Sequence, residues 1–137
     1  MTGTPDGTLP DETLIAAAQD CLGEFRLSTE HFTAGSVAAA LETSSGRIHT
    51  GICIDLACGI GFCAEHAAIA AMLLTRETMI RRIVAVSATG ILPPCGRCRE
   101  MMVQVDNRNF DCQVLLPGDR QLSLRELLPA HWLSGSF

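Results

Sequence analysis

CAEHAAIAAMLLTRETMIRRIVAVSATGILPPCGRCREMMVQV, residues 63–105, decides the fold, because it reads in succession as helix, strand, turn and helix. Residues 63–74 are nearly all helix formers, with Ala64, Ala67, Ala68, Ala70 and Ala71 among them, so a helix is expected to begin close to Cys63. Residues 83–88 form an apolar, β-branched run broken only by Ser87, suited to a strand buried on both faces. Arg81-Arg82 just ahead of it reads as a solvated charge pair. Pro93-Pro94 blocks regular structure, and residues 95–105 read as a second helix entered directly from that turn.

The flanking sequence extends the pattern. Residues 37–41 and 47–54 are β-compatible runs separated by the turn-forming 42–46, which predicts a hairpin. Further upstream, Leu14, Ala18, Cys21, Leu22 and Phe25 share one face of a helix that Asp11 is placed to cap. Downstream, residues 112–116 read as a buried strand, and Ser123 with Glu126 forms a capping box at the start of a short helix. Cys21 and Cys112 fall on apolar faces and are expected in the core. Strands alternating with helices after an opening hairpin predict an α/β sandwich with a mixed sheet. Residues 1–10 lack periodicity and are expected to be a flexible tail, leaving 11–137 as one domain.

Composition narrows the function. The 137 residues are 47% hydrophobic and their mean hydropathy is +0.26, rich for a 14.6 kDa chain with little interior, which points to self-association. A formal charge of −5 and the complete absence of lysine leave no basic stripe to grip a phosphate backbone, so a long nucleic acid is not an expected substrate. Nothing approaches the roughly 18 uninterrupted apolar residues of a membrane span. Residues 1–12 are polar without a signal pattern, and the expected location is the cytoplasm. Seven cysteines in such a chain read as metal or catalytic chemistry before they read as disulfides.

Two segments carry that chemistry: Cys63-Ala64-Glu65 and Pro94-Cys95-Gly96-Arg97-Cys98, each at an expected helix start. Cys63, Cys95 and Cys98 are candidate ligands for one zinc ion. Three thiolates on Zn2+ carry a net charge of −1, which two helix N-termini offset, with Arg97 and Arg99 adding to the compensation. Three protein ligands leave the fourth tetrahedral position to water, whose pKa falls to about 7. Glu65, two residues after Cys63, is placed to take and deliver the proton.

These motifs resemble the free-nucleoside cytidine deaminase family. Gly90-Ile91-Leu92 and Arg125-Glu126-Leu127-Leu128-Pro129 look especially like its blasticidin S deaminase branch. With residues 37–41 and 46–51 included, the likeness runs from about Ser36 to Trp132. The resemblance implies a three-layer α/β/α sandwich with a mixed five-stranded sheet, a homotetramer, and one zinc per chain. It implies a small-molecule cytosine nucleoside as substrate, attacked at C4 by activated water, with Glu65 protonating N3 and then the departing amine. Backbone contacts to the base fall on the Ala64 amide and the Pro93 carbonyl. Where the family carries an Asn-x-Glu pair for the ribose, this chain has Cys53 and Asp55, and its usual arginine after the catalytic glutamate is His66. Trp132 lies where the family places an aromatic reaching a substrate site; the other reading is an anchor for the C-terminus.

Three functions are thus open on sequence: deamination of cytidine or deoxycytidine, deamination of blasticidin S or another modified cytosine nucleoside, and a non-catalytic structural zinc module closed by Cys58 or His66. A thiol redox protein using Cys95 and Cys98 is a fourth, less favoured because a proline precedes the pair and a distant third cysteine suits a metal better.

Overall fold

Small side chains at the centre of the sheet let helices close on it from both sides. The run Val37-Ala38-Ala39-Ala40-Leu41 lies within strand β2 (Thr33–Thr43), where residues 38–41 are wholly buried. The computed structural model describes residues 9–134. Around β2 the chain forms α1 (Asp11–Cys21), β1 (Phe25–Arg26), β3 (Ile48–Asp55), α2 (Ala64–Leu74), β4 (Ile80–Ser87), β5 (Gly90–Leu92), α3 (Gly96–Val105), β6 (Gln113–Leu116), β7 (Arg120–Ser123) and α4 (Leu124–Leu127). Short 3-10 helices span Asn107–Asp111 and Trp132–Ser134.

The five longer strands pair in the order β3-β2-β4-β6-β7, all antiparallel except β4 with β6. Two short additions raise the five strands expected to seven among the described residues. β1 pairs Thr33 and Ala34 beyond the point where β4 takes over at Val37, and β5 pairs residues 85–87 beyond the reach of β6. At two and three residues, neither is long enough to show a period in sequence.

Alternation along the strands sorts the core into two layers. Ala38, Ala40, Val84, Val86 and Leu115 face Leu14 and Ala18 of α1. Ala39, Leu41, Ile83, Ala85 and Val114 face Ala64, Ala68, Ile69 and Met72 of α2 and Met102 and Val103 of α3. The result is the expected α/β/α sandwich. α2 lies directly on β3 because Gly51 has no side chain: a Cβ there would stand 2.4 Å from the Ala68 amide nitrogen and 2.7 Å from the Ala64 carbonyl oxygen.

Some local expectations are corrected. Pro10, not Asp11, is the N-cap of α1; Asp11 is the first helical residue and its carboxylate bonds Arg82. Gly23 follows the end of α1, and the chain turns into β1, so the apolar stripe stops a turn early: Cys21 is exposed and Phe25 is 52% exposed. Arg82 is no solvated charge. It sits inside β4 opposite Glu42 of β2 and is 7% exposed. Its Nη2 donates to Glu42 Oε1 at 2.8 Å, and it also bonds the Leu9 carbonyl. Of the expected tail, residues 1–8 lie outside the described residues; the Leu9 amide donates to Glu42 Oε2 at 3.1 Å. Cys112 is buried as expected, and the Ser123–Glu126 capping box is present.

Candidate active site

Two helix starts meet at one end of the sandwich. Cys63 is the N-cap of α2 and Cys95 the N-cap of α3, both with extended backbone, while Cys98 lies in the first turn of α3. Their sulfurs converge: Cys63 Sγ is 3.6 Å from Cys95 Sγ, and Cys95 Sγ is 3.4 Å from Cys98 Sγ. A disulfide would need about 2.05 Å, and all seven cysteines are free. Thiolates about 2.3 Å from a shared tetrahedral zinc stand about 3.8 Å apart, close to the observed spacing. The donor set therefore fits zinc, which none of these side chains would need to swing far to hold.

A ring nitrogen of His66 also lies within 4.8 Å of the Cys63 and Cys98 sulfurs, so two ligand sets are available. The His66 Nδ1 lone pair is engaged, however, by the Cys63 amide at 3.4 Å and stands 3.4 Å from Arg97 Nη2. Burial, then Arg97, hold the imidazole below its ordinary pKa. Among the thiols, burial first and then hydrogen bonding with Cys95 push Cys63 up, and burial followed by the Glu65 charge pushes Cys98 up further. Burial acts against the Cys95 thiolate too, but the Cys98 amide, the Cys98 and Cys63 thiols and the Arg97 amide outweigh it and lower its pKa. The start of α3 thus favours negative charge where a metal would draw on it.

Beside the sulfurs opens a cavity of about 260 Å³, lined by Ser36, Val37, Cys53, Asp55, residues 61–65, Ala85, Leu92, Pro93 and Cys95. Glu65, in the first turn of α2, is 5% exposed and reaches it. Burial raises its pKa, opposed by its own amide and the Cys98 thiol. Ala64 is the first residue of α2, a position whose amide has no acceptor within the helix, and Pro93 lines the same cavity.

The far wall is polar. Cys53 Sγ accepts from the Val37 amide at 3.3 Å, contacts Ser36 Oγ at 3.2 Å and donates to Asp55 Oδ2 at 3.6 Å. Ser36 Oγ donates to the same carboxylate oxygen at 3.4 Å. A register shift in β2 between Ala34 and Ala38 brings Ser36 to this wall. It turns at Gly35, whose φ of +87° suits glycine and where a Cβ would stand 2.4 Å from the Gly23 carbonyl oxygen. Phe62 also lines the cavity, and no motif in the sequence marks it.

Of the candidate residues, the structure brings together Cys63, Cys95, Cys98, Glu65, Ala64, Pro93, Cys53 and Asp55. Trp132 is elsewhere: it packs outside α3, 62% exposed, beside a surface hollow it shares with Glu100 and Gln104, its amide donating to Glu100 Oε1 at 3.0 Å. Neither arginine of the second motif is bonded to the sulfurs. Arg99 ties the Pro94 carbonyl to the Leu127 carbonyl at 2.8 and 2.9 Å. Arg97 donates to the carbonyl of Ile60, a β-branched residue at φ +52°, where the left-handed conformation costs about 1–2 kcal/mol.

No family model matches the chain. Over 71 residues it is 32% identical to the cytidine deaminase of Mycobacterium tuberculosis, a match spanning 50% of this chain and 53% of that relative. Solved structures are similar over a longer stretch. The M. tuberculosis cytidine deaminase superposes with a TM-score of 0.73 at 26% identity, covering 88% of this chain and 95% of that one. A mutant form of it gives 0.74 at 26% identity, covering 90% and 98%. Cytidine deaminase from Burkholderia pseudomallei gives 0.72 at 28% identity, covering 90% and 99%. The chain has a cytidine deaminase-like α/β fold, its likeness to those proteins extending in sequence over half its length and in structure over about nine-tenths of it.

Proposed function

We propose that the protein is a zinc-dependent hydrolytic deaminase that converts a cytosine-type nucleoside, cytidine or deoxycytidine, to the uracil-type product and ammonia. One observation carries this reading: three thiols from two helix starts converge beside a buried glutamate that lines a cavity of about 260 Å³. Cys63, Cys95 and Cys98 would hold one zinc, since His66 Nδ1 is already engaged by the Cys63 amide and lies beside Arg97. Zinc bound there supplies a Lewis acid that lowers the pKa of a water to about 7. Glu65 would take one proton from the attacking water, whose oxygen adds to C4, and deliver it to N3; it would then carry the remaining hydroxyl proton to the amine, so that the C4–N bond breaks and ammonia leaves. The Ala64 amide and the Pro93 carbonyl orient the base, and Asp55, with Cys53 beside it, faces the sugar. Low exposure of Glu65 keeps bulk water from competing for its proton.

The wall formed by Ser36, Cys53 and Asp55 favours a second substrate within the same chemistry. These side chains are short, and they leave space for a modified sugar such as that of blasticidin S. Copies of the chain are inferred to form a homotetramer, because Phe25, Leu74 and Trp132 leave apolar surface exposed. In that assembly Trp132 reaches a neighbour's cavity. No helix among the described residues is long and apolar enough to cross a membrane.

Zinc-loaded protein incubated with cytidine, deoxycytidine and blasticidin S, followed by loss of the cytosine absorbance, tests the reading. Turnover of either simple nucleoside supports it. Turnover of the antibiotic alone moves the substrate to the second reading, and no turnover with one zinc per chain leaves a structural metal module. Sedimentation of the same sample reads the assembly.

A further inference from the structure

We propose that Arg97 is a positioning residue that locks the cavity wall at residues 56–62, setting how tightly substrate is held and not how fast it reacts. The effect on substrate rests on the deaminase reading above; the lock itself does not.

Ile60 and Gly61 are consecutive residues in the left-handed region, at φ +52° and +74°. Glycine adopts this freely, but isoleucine crowds its own Cβ and γ-carbons against the backbone. Ile60 is 83% exposed, so packing of its side chain does not hold the strained turn. Within the loop, the Gly59 amide reaches the Leu56 carbonyl only at 3.4 Å. Beyond it, the Ile54 amide donates to the Phe62 carbonyl at 3.1 Å and fixes the exit from the loop, not its tip. The tip is held by Arg97, together with a long contact from the Cys63 thiol to the Gly61 carbonyl at 3.6 Å that zinc on the thiolate would remove. Arg97 Nη1 donates to the Ile60 carbonyl, the other arm of the fork stands 3.4 Å from His66 Nδ1, and a Cβ built on Gly61 would touch Nη1 at 3.6 Å. One planar guanidinium, carried on the first turn of α3, thereby joins the loop to α2. Gly61 and Phe62 line the cavity, so a loosened loop changes its shape while Cys63 and Glu65 stay on their helix. Lysine cannot make both contacts, having one compact ammonium in place of a fork.

The test uses the zinc-loaded full chain and its Arg97→Ala, Arg97→Lys and Arg97→Ala/Ile60→Asn forms, since asparagine tolerates the left-handed region. In Arg97→Ala, amide hydrogen exchange across residues 56–62 is expected to accelerate about tenfold or more, with α2 unchanged. For the cytosine nucleoside that the unaltered protein turns over best, KM rises about tenfold while kcat stays within about twofold. Zinc remains at one per chain. Arg97→Lys behaves like the alanine form, and Ile60→Asn restores protection and KM by removing the strain. Unchanged exchange in the loop of Arg97→Ala overturns the lock. Loss of zinc with a collapse of kcat at constant KM overturns it too, by making Arg97 part of the metal centre. Should the alanine form fail to fold, the lysine form decides by the same readings. If the unaltered protein deaminates no cytosine nucleoside, the deaminase reading fails, and exchange alone still judges the lock.

Discussion

Glu65 shows how position sets the worth of a single side chain. It is 5% exposed, lies beside Cys98 and has no cationic partner among its hydrogen bonds, so burial is tolerated for its chemistry and not for stability. Glu65→Gln keeps the shape and removes the proposed proton carrier: in zinc-loaded protein kcat is expected to fall by about 10²–10⁴ while the zinc content by atomic absorption stays that of the unaltered protein. A fall in zinc to match the fall in rate would instead make the carboxylate a ligand. Cysteine reactivity separates the sulfurs just as sharply. Cys21, Cys58 and Cys95 are exposed, whereas Cys112 is 1% exposed and burial pushes its thiol far above the usual range. In metal-free protein a thiol reagent followed by peptide mass spectrometry is expected to modify Cys95, whose pKa is lowered, ahead of or together with Cys21 and Cys58, and Cys112 only on unfolding.

At the level of the element, the seat of α2 on β3 governs the site from a distance. Gly51 is outside the cavity lining, yet its missing side chain decides how closely α2, and with it Cys63 and Glu65, approaches the sheet. Gly51→Ala must push backbone atoms of α2 outward. The expected cost is about 1–3 kcal/mol, read as a lowered denaturant midpoint, together with reduced kcat, although no active-site residue is altered. Most elements were legible because their signals are local: the alanine-rich α2, the β-branched β4, the Pro-Pro entry to α3 and the Ser123 capping box each state a conformation within a few residues. What was missed depends on partners remote in sequence. β7 is a polar edge strand that exists by pairing with β6, Arg82 is buried because Glu42 stands opposite it, and Ser36 reaches the cavity only through the register shift in β2. The placement of the sulfurs was readable because the same two motifs that carry them also begin the helices that aim them.

Across the whole molecule, one buried ion pair ties the start of the chain to the middle of the sheet. Glu42 is wholly buried, and Arg82 meets it, Asp11 and the Leu9 carbonyl together. Arg82→Leu leaves the buried Glu42 carboxylate with only the partly exposed Arg81 at 3.9 Å and the Leu9 amide, and is expected to destabilise the fold by up to about 3–5 kcal/mol in urea titration. Replacing both partners, as Glu42→Gln with Arg82→Met, recovers most of that loss. Acid acts at another corner. Hydrogen bonding to Arg108 holds Asp106 below the usual carboxylate range, so its contribution to stability is present above about pH 4 and is lost as pH falls toward its lowered folded-state value. The stability difference between Asp106→Asn and the unaltered protein is therefore expected to be full at pH 7 and to shrink below about pH 4. The irregular step in β2 also decouples one side chain from the packing around it. It lifts Ser36 out of the layered interior, so a larger or differently charged side chain at that position would reshape the cavity wall while the sandwich beneath goes undisturbed.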